Sequence, residues 1–482
     1  MGAVKHYPCF VGGESTQAAS GAVFEVDNPA TEEVWATVPD FSADDAVRAL
    51  EAARAAQAGW AELPAIERGR WLHKLAAAIE ERRAHFAELL VREQGKLPAE
   101  ADGEVSDTIE YITYAAEAAR RIEGRIFPSD KSGEELWIQK VPYGVVVGMC
   151  AYNYPLALIG RKVGPALVAG NTIVLKPHEA TPVTASEFCR VAAEIEFPAG
   201  VINLVTGTGI EASSALVSSP LTRLVSLTGS TAAGQAIYRS MAENVGGLIL
   251  ELGGKASFIV LEDADLDKAV DAAVASRYAN AGQICVCNEL VLVHKNIAEE
   301  FRRRVVEKVQ AIALATPESP TGMGPNVTRA SVDRLENLLN DSVAMGATVD
   351  VGGGRPEDPR FANGYWYLPT VVSGVTRDMP LARHEIFGPI MPIIEVEDYA
   401  EALEICNDRE DALSAYIFTR DVGTIFHAIK RMEVGTVFVN MPISGYIQGY
   451  HNGHKRSGVG GEDGVYGIEN YLQRRSVYLN YA

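Results

Sequence analysis

From Val145 onward the chain repeats one pattern: a short apolar run, a turn, then a helix-like stretch. Val145–Met149, Thr172–Lys176, Val201–Val205, Leu224–Leu227 and Leu248–Leu252 read as strands, with Leu156–Leu167 and Val183–Ile195 as helices between them. Strands this short and apolar, alternating with helices, are covered on both faces, which restricts the sheet to parallel pairing between helical layers. A second series follows: Ser257–Val260, a helix over Leu266–Ala281, Leu290–Val293, Met391–Ile394, Ala415–Phe418 and Thr436–Val439. With no low-complexity linker and no repeat, two interleaved α/β units fit better than separate beads. Upstream, Ser42-Ala-Asp-Asp45 has the form of a capping box before a helix to about Ala58, and Pro64 opens a helical stretch through about Arg92.

A chain of 482 residues, 47% apolar and 22% charged, is long enough for two or three domains with sizeable cores. Its net charge of −20 argues against nucleic acid or an anionic membrane as partner, while leaving an anionic small molecule open. The six cysteines are scattered without a disulfide framework, which points to a reducing, cytoplasmic setting. Cys285-Val-Cys287 lacks a second pair at ligand spacing, so no metal is expected. Met1 to Phe10 shows no basic start followed by an apolar run, so no signal peptide is expected. Val141 to Gly160 is uncharged, but Pro142, Asn153, Pro155 and three glycines interrupt it; a strand, a turn and a helix start fit it better than a membrane span.

Three motifs suggest chemistry. Asn280-Ala-Gly-Gln-Ile-Cys285 places a thiol at the expected end of the helix from Leu266. A free thiol has a pKa of about 8.5, so as a nucleophile it needs a lowered pKa or a nearby base. Glu251-Leu-Gly-Gly-Lys255 offers such a base: Glu251 ends the apolar run Leu248-Ile-Leu250, where desolvation raises a carboxyl pKa. Gly253 and Gly254 would permit a sharp turn and close packing. Asn153, in Ala151-Tyr-Asn-Tyr-Pro155, falls at the carboxyl end of a strand, where α/β sites collect. Its amide can donate to a developing oxyanion, worth on the order of 3 kcal/mol. Taken singly, each has a plain structural reading: a buried cysteine, a strand-end acid, a helix-capping asparagine.

In combination these motifs resemble the aldehyde dehydrogenase superfamily, from about Asn28-Pro-Ala-Thr31 to the C-terminus. The resemblance implies an α/β fold with a Rossmann-like parallel-sheet cofactor domain (1–127 and 145–251), an α/β catalytic domain (252–440) and a small β oligomerisation arm (128–144 and 460–482). It implies that Cys285 attacks an aldehyde to form a thiohemiacetal. Asn153 and the Cys285 N–H then stabilise the oxyanion, Glu251 activates the water that hydrolyses the thioester, and Lys162 supports the asparagine and relays protons. The family usually has Pro-Trp-Asn-Phe-Pro where this chain has Ala151-Tyr-Asn-Tyr-Pro155.

The implied cofactor is NAD in preference to NADP. Lys176 and Glu179 would hold the adenosine ribose, and the Glu179 carboxylate would repel a 2′-phosphate. Gly229-Ser-Thr-Ala-Ala-Gly234 would offer backbone N–H groups at a helix start to the pyrophosphate, with Ser230 touching phosphate. Glu385 would bind the nicotinamide ribose and Phe387 pack on the ring; Ala151, Tyr152, Gly209 and Leu252 complete the set. Within the family, Leu63-Pro-Ala-Ile-Glu-Arg68, Gly282-Gln-Ile-Cys-Val-Cys287 and Gln448-Gly-Tyr-His451 resemble the lactaldehyde/glycolaldehyde branch, and point to Arg161, Val286 and His451 as substrate residues. That branch has acids before the histidine, whereas Met441 to Tyr450 has none, and Val286 replaces its Asn. Arg161 with His451, His454, Lys455 and Arg456 would then make a positive pocket for an aldehyde with a short anionic tail, as in a semialdehyde, unless these basic residues face solvent. Two further readings are a CoA-acylating relative, against which an intact Glu251 weighs, and a non-catalytic NAD-binding protein. Glu134–Lys140 and Gln473–Leu479 are the segments expected to pair with a neighbouring subunit in a homodimer or homotetramer.

Overall fold

The structure, a computed structural model, describes residues 4–316 and 319–482. Its first sheet has eight strands in the order Gly458–Val459, Gly247–Glu251, Thr222–Thr228, Val145–Met149, Thr172–Lys176, Ile202–Leu204, Cys9–Val11, Glu14–Thr16. The strands from Gly247–Glu251 to Ile202–Leu204 are parallel, and the flanking ones are antiparallel. Strand direction along the chain reverses its order at Val145–Met149, which has Thr172–Lys176 on one side and Thr222–Thr228 on the other. That switch point opens a crevice at the carboxyl ends, where Asn153 and Gly229 follow their strands.

The second sheet runs Thr348–Val351, Thr370–Ser373, Ile390–Val396, Asn288–His294, Ala256–Val260, Ser414–Phe418, Thr436–Val439, parallel except at the first pair. Its side chains alternate between two cores. Ile259, Leu290, Leu292 and Ile417 pack on one face, and Phe258, Val260, Val291, Val293 and Phe418 on the other. Burial of both faces is what the uninterrupted apolar runs required.

The chain returns from the second sheet to the first at its C-terminal end. Gly458–Val459 pairs with Leu250 and Glu251, and Leu252 N–H donates to the Ser457 carbonyl at 2.9 Å. Ser457, fully buried, donates its hydroxyl to Gly253 O (2.7 Å) and accepts from Ala412 N–H (2.8 Å), so it ties the two sheets together. A three-stranded antiparallel arm stands apart, made of Arg125–Pro128, Glu134–Pro142 and Leu472–Asn480, with Ile126, Phe127 and Tyr478 exposed on it. The uncharged stretch 141–160 resolves into the end of an arm strand, Val145–Met149 and the start of the helix Pro155–Val168. No helix among the described residues is long and apolar enough to cross a membrane.

Two helical expectations change. The stretch from Pro64 is two helices, Ala65–Glu80 and Arg83–Gln94, broken at Arg82 (φ −111°). The helix from Leu266 ends at Tyr278, not Ala281, because Asn280, Ala281 and Gly282 all take left-handed φ of 48°, 54° and 75°. That left-handed turn redirects the chain toward Cys285.

A further helix, Pro98–Glu117, lies against Pro155–Val168 at two glycines. A Cβ on Gly160 would sit 3.0 Å from Thr108 O, and one on Gly164 would sit 2.9 Å from Ala115 Cβ. Gly164→Val should therefore destabilise the protein by about 1–3 kcal/mol through overpacking. Gly103→Ala, on the exposed face of the same helix with nothing within 4 Å, should stabilise it by up to about 1 kcal/mol. Thermal unfolding midpoints that move in the same direction for both would contradict this packing.

Candidate active site

Two strand ends and two loops bring the chemistry together. Glu251 closes its strand with both carboxylate oxygens buried and without a hydrogen-bond donor. Cys285 follows the left-handed turn and is partly accessible, whereas Cys9, Cys150, Cys189, Cys287 and Cys406 are buried. His451 stands between them, with its Nε2 3.4 Å from Glu251 Oε2 and 4.0 Å from Cys285 Sγ. Asn153 lies in the turn after Val145–Met149, and its amide donates to Gln283 O at 2.9 Å. Thiol, imidazole, carboxylate and asparagine thus share one site.

The glycines of the Glu251 motif act here through size, since neither has positive φ. A Cβ on Gly253 would lie 2.7 Å from Glu385 Oε2, and one on Gly254 would lie 3.1 Å from Cys285 O. Larger residues would push the nucleophile loop and Glu385 away from the strand end. Glu385 accepts from Gly254 N–H at 2.9 Å. Its backbone is anchored below by Glu289, which accepts from Ile386 N–H (2.5 Å) and Phe387 N–H (3.0 Å) and is held by Arg277 (2.9 Å) and Lys255 (3.1 Å). Burial opposes the Glu289 charge, but Arg277 and Lys255 hold its pKa down at about 2. None of these three partners was foreseen from the sequence.

Lys162 differs from expectation. It makes no hydrogen bond to Asn153; its buried ammonium donates to Ser226 Oγ (3.1 Å), Thr228 Oγ1 (2.9 Å) and Glu462 Oε1 (2.6 Å). Glu462 and Asp463 come from the C-terminal return and were missed. The only signal was an acid pair among glycines, Gly460-Gly-Glu-Asp-Gly464. Burial would raise the Glu462 pKa, but Lys162 and then Arg161 outweigh it and hold it below the carboxylate range. Glu251 goes the other way: burial first, then the Glu462 charge, push it well up, against Arg161 and Lys162.

The expected positive pocket also differs. Arg161 Nε donates to Asp463 Oδ1 at 2.7 Å and its Nη2 to Oδ2, with Glu462 Oε2 at 3.4 Å. Burial opposes the guanidinium charge, and Asp463, Tyr111 and Glu462 more than offset it. His454, Lys455 and Arg456 are exposed; Lys455 pairs with Glu433 (2.7 Å) and Arg456 with Glu410 (3.0 Å). The acids absent before His451 are replaced by acids after it. Val286 is buried, and its carbonyl accepts from Tyr416 Oη at 2.5 Å.

The remaining candidates line the crevice of the first sheet. Lys176 ends its strand, buried, with Nζ donating to Pro177 O at 3.2 Å, and Glu179 is exposed beside it. Gly209 and Ser230 precede the helices Ile210–Ser218 and Thr231–Met241, and Gly229 N–H donates to Glu251 O (3.0 Å). Leu252 packs on Gly234, where a Cβ would come within 2.5 Å of it. Next to the partly buried Ala151, Tyr152 meets Phe387 edge-on at 5.9 Å and His178 at 5.0 Å.

This combination of motifs and geometry has relatives. The model of the aldehyde dehydrogenase family matches residues 16–477. The chain belongs to the aldehyde dehydrogenase family. It is 44% identical over 479 residues to 3,6-anhydro-alpha-L-galactose dehydrogenase of Vibrio sp. (strain EJY3), covering 99% of this chain and 100% of that protein. Lactaldehyde dehydrogenase of Escherichia coli (strain K12) is 41% identical, covering 98% of each. D-glyceraldehyde dehydrogenase (NADP(+)) of Picrophilus torridus is 35% identical, covering 98% of this chain and 96% of that one. A solved structure of 3,6-anhydro-L-galactose dehydrogenase superposes with a TM-score of 0.97 at 45% identity, covering 98% of this chain and all of that one. This aldehyde dehydrogenase is therefore an oxidoreductase acting on aldehydes, with the nicotinamide cofactor its family uses.

Burial, and secondarily the Glu251 charge, push the Cys285 thiol up to about 12 against the pull of Arg161. Alkylation of Cys285 by iodoacetamide in the cofactor-free enzyme should then rise about tenfold per pH unit from pH 7 to 10, following the thiolate fraction. A rate that is flat over that window would mean the thiolate is already formed at neutral pH.

Proposed function

We propose that this aldehyde dehydrogenase oxidises a neutral, short 2-hydroxyaldehyde to its carboxylic acid, using NAD. The observation that carries the substrate class is the Arg161–Asp463 pair: the guanidinium beside the nucleophile already has a counter-ion, so an anionic tail finds no free cation there. Three relatives support the reading by name, since anhydrogalactose, lactaldehyde and glyceraldehyde all carry oxygen on the carbon next to the aldehyde. The imidazole of His451 and the edge of Arg161 offer hydrogen bonds to that oxygen.

In this reading Cys285 Sγ loses its proton to solvent and adds to the aldehyde carbon. Asn153 Nδ2 and the Cys285 N–H donate to the oxygen as it becomes anionic. A nicotinamide cofactor bordered by Ala151, Tyr152, Glu385 and Phe387 would supply the hydride acceptor for this carbon. Glu251, whose carboxylate oxygens accept no hydrogen bond among the described residues, then takes a proton from the water that attacks the thioester, and the acid departs. The base works deprotonated, so its raised pKa makes hydrolysis rise with pH.

The chain's own residues fit the cofactor. Lys176 has a buried ammonium with a single protein acceptor, leaving donors for ribose hydroxyls. Gly229 and Ser230 stand at a helix N-terminus fit for the pyrophosphate, with Gly209 and Leu252 along the crevice. Ala151, Tyr152, Glu385 and Phe387 would border the nicotinamide end. Glu179 favours NAD by charge repulsion of a 2′-phosphate, although the glyceraldehyde relative is named for NADP. The exposed Ile126, Phe127 and Tyr478 on the arm suit a homodimer or homotetramer.

Two measurements test this. With NAD, kcat/KM for lactaldehyde should exceed that for succinate semialdehyde by about tenfold or more, and Asp463→Asn, which frees Arg161, should narrow the gap. A wild-type preference for the semialdehyde would overturn the neutral-substrate reading. Glu251→Gln should lower steady-state turnover about 10²- to 10⁴-fold while keeping a single-turnover burst of NADH. An equal loss in the burst would place Glu251 before hydride transfer.

A further inference from the structure

Besides the Glu289 cluster, a second buried ion pair touches the backbone of the site. Lys96 and Glu104 have no exposed side-chain surface and are paired with each other. Lys96 Nζ also donates to the backbone carbonyl of Asn153 at 2.7 Å and lies 3.6 Å from the ring centre of Tyr154. Glu104 Oε1 accepts from Leu156 N–H (2.8 Å) and Ala157 N–H (3.2 Å), two of the free amides at the start of Pro155–Val168. The pair therefore grips the turn on both sides of Tyr154-Pro155, holding the carbonyl before it and the amides after it.

The same segment also reaches the nucleophile turn. Asn280 Nδ2 donates to that same Asn153 carbonyl at 3.1 Å. Asn280 is itself held by Gln94, which donates to its Oδ1 (2.9 Å), and by Glu100, which accepts from its N–H (2.9 Å). Asn153 in turn donates to Gln283 O, two residues before Cys285. Residues 94–104 thus bracket both arms of the oxyanion site.

We propose that Lys96 is a positioning residue for this site, holding the Asn153 amide on the substrate oxygen through the Asn153 main chain; this rests on the oxyanion role given to Asn153 above. Stability alone gives little reason for a buried pair, because well-packed apolar residues in its place are often neutral or better. Geometry gives one: such donors act only when held to within about 0.5 Å.

The test compares Lys96→Met/Glu104→Leu, Asn153→Ala and the triple variant in aldehyde oxidation and in Cys285 alkylation by iodoacetamide, a displacement that builds no oxyanion. The double variant should lose about 10- to 100-fold in kcat with KM within about threefold, and alkylate within about twofold of wild type. Added to Asn153→Ala, it should cost little more. If Asn153→Ala runs at the wild-type rate, the oxyanion reading itself falls. If Asn153→Ala is slow but the double variant is as fast as wild type, or alkylates as slowly as it turns over, or multiplies the loss in the triple variant, Lys96 does not act through Asn153. Should the double variant fail to fold, Asn280→Ala removes the second donor to the same carbonyl and leaves the pair intact. It is expected to be slow only when Asn153 is present, and a wild-type rate for it overturns the inference.

Discussion

The buried contact between Lys162 and Glu462 is the interaction on which the rest of the site depends. It joins the helix behind the first sheet to the C-terminal return, and it fixes where negative charge resides. Glu462 is held ionised by Lys162 and Arg161, and its charge adds to burial, the larger cause, in raising the pKa of a second carboxylate close by. That carboxylate is Glu251. Two acids in one cavity are thereby driven apart, one held ionised as a fixed counter-charge and the other raised.

Four of the nine non-glycine residues with positive φ among the described residues lie at the same place: Asn280 and Ala281 before Cys285, Phe387 beside Tyr152 and Asp463 beside Arg161. Asp463, at φ 68° and ψ 161°, occupies a region populated almost only by glycine. Its side chain holds Arg161 at two points, so the strained backbone and the ion pair are parts of one arrangement. The turn at 280–282 is supported from outside by Gln94 and Glu100. Both distortions aim a side chain that an unstrained helix would direct elsewhere.

Much of the architecture could be read from local pattern. The parallel strands, the arm segments and the motifs around Glu251, Cys285 and Asn153 were legible because each depends on neighbours within a few residues: apolar runs, turn residues, glycines where the chain packs closely. The helix from Leu266 was read too long because Ala279 to Gly282 is compatible with helix in isolation, and contacts from 94 and 100 override it. Lys162 was given the wrong partner, and of the two orientations left open for the basic run at 454–456 the solvent-facing one is found. Each error concerned a contact with an element far away in the chain.

By itself the sequence determined the family motifs and the class of fold, since residue identity and hydrophobic period are local properties. The charge of the pocket was decided only in three dimensions. Arg161 and Lys162 are adjacent to no acid in the chain, and their counter-ions are supplied about 300 residues later by Glu462 and Asp463, just past the strand Gly458–Val459 that pairs with the edge of the first sheet. Electrostatic energy depends on distance and burial in space, and the pairing of sheet edges, not sequence neighbourhood, sets both.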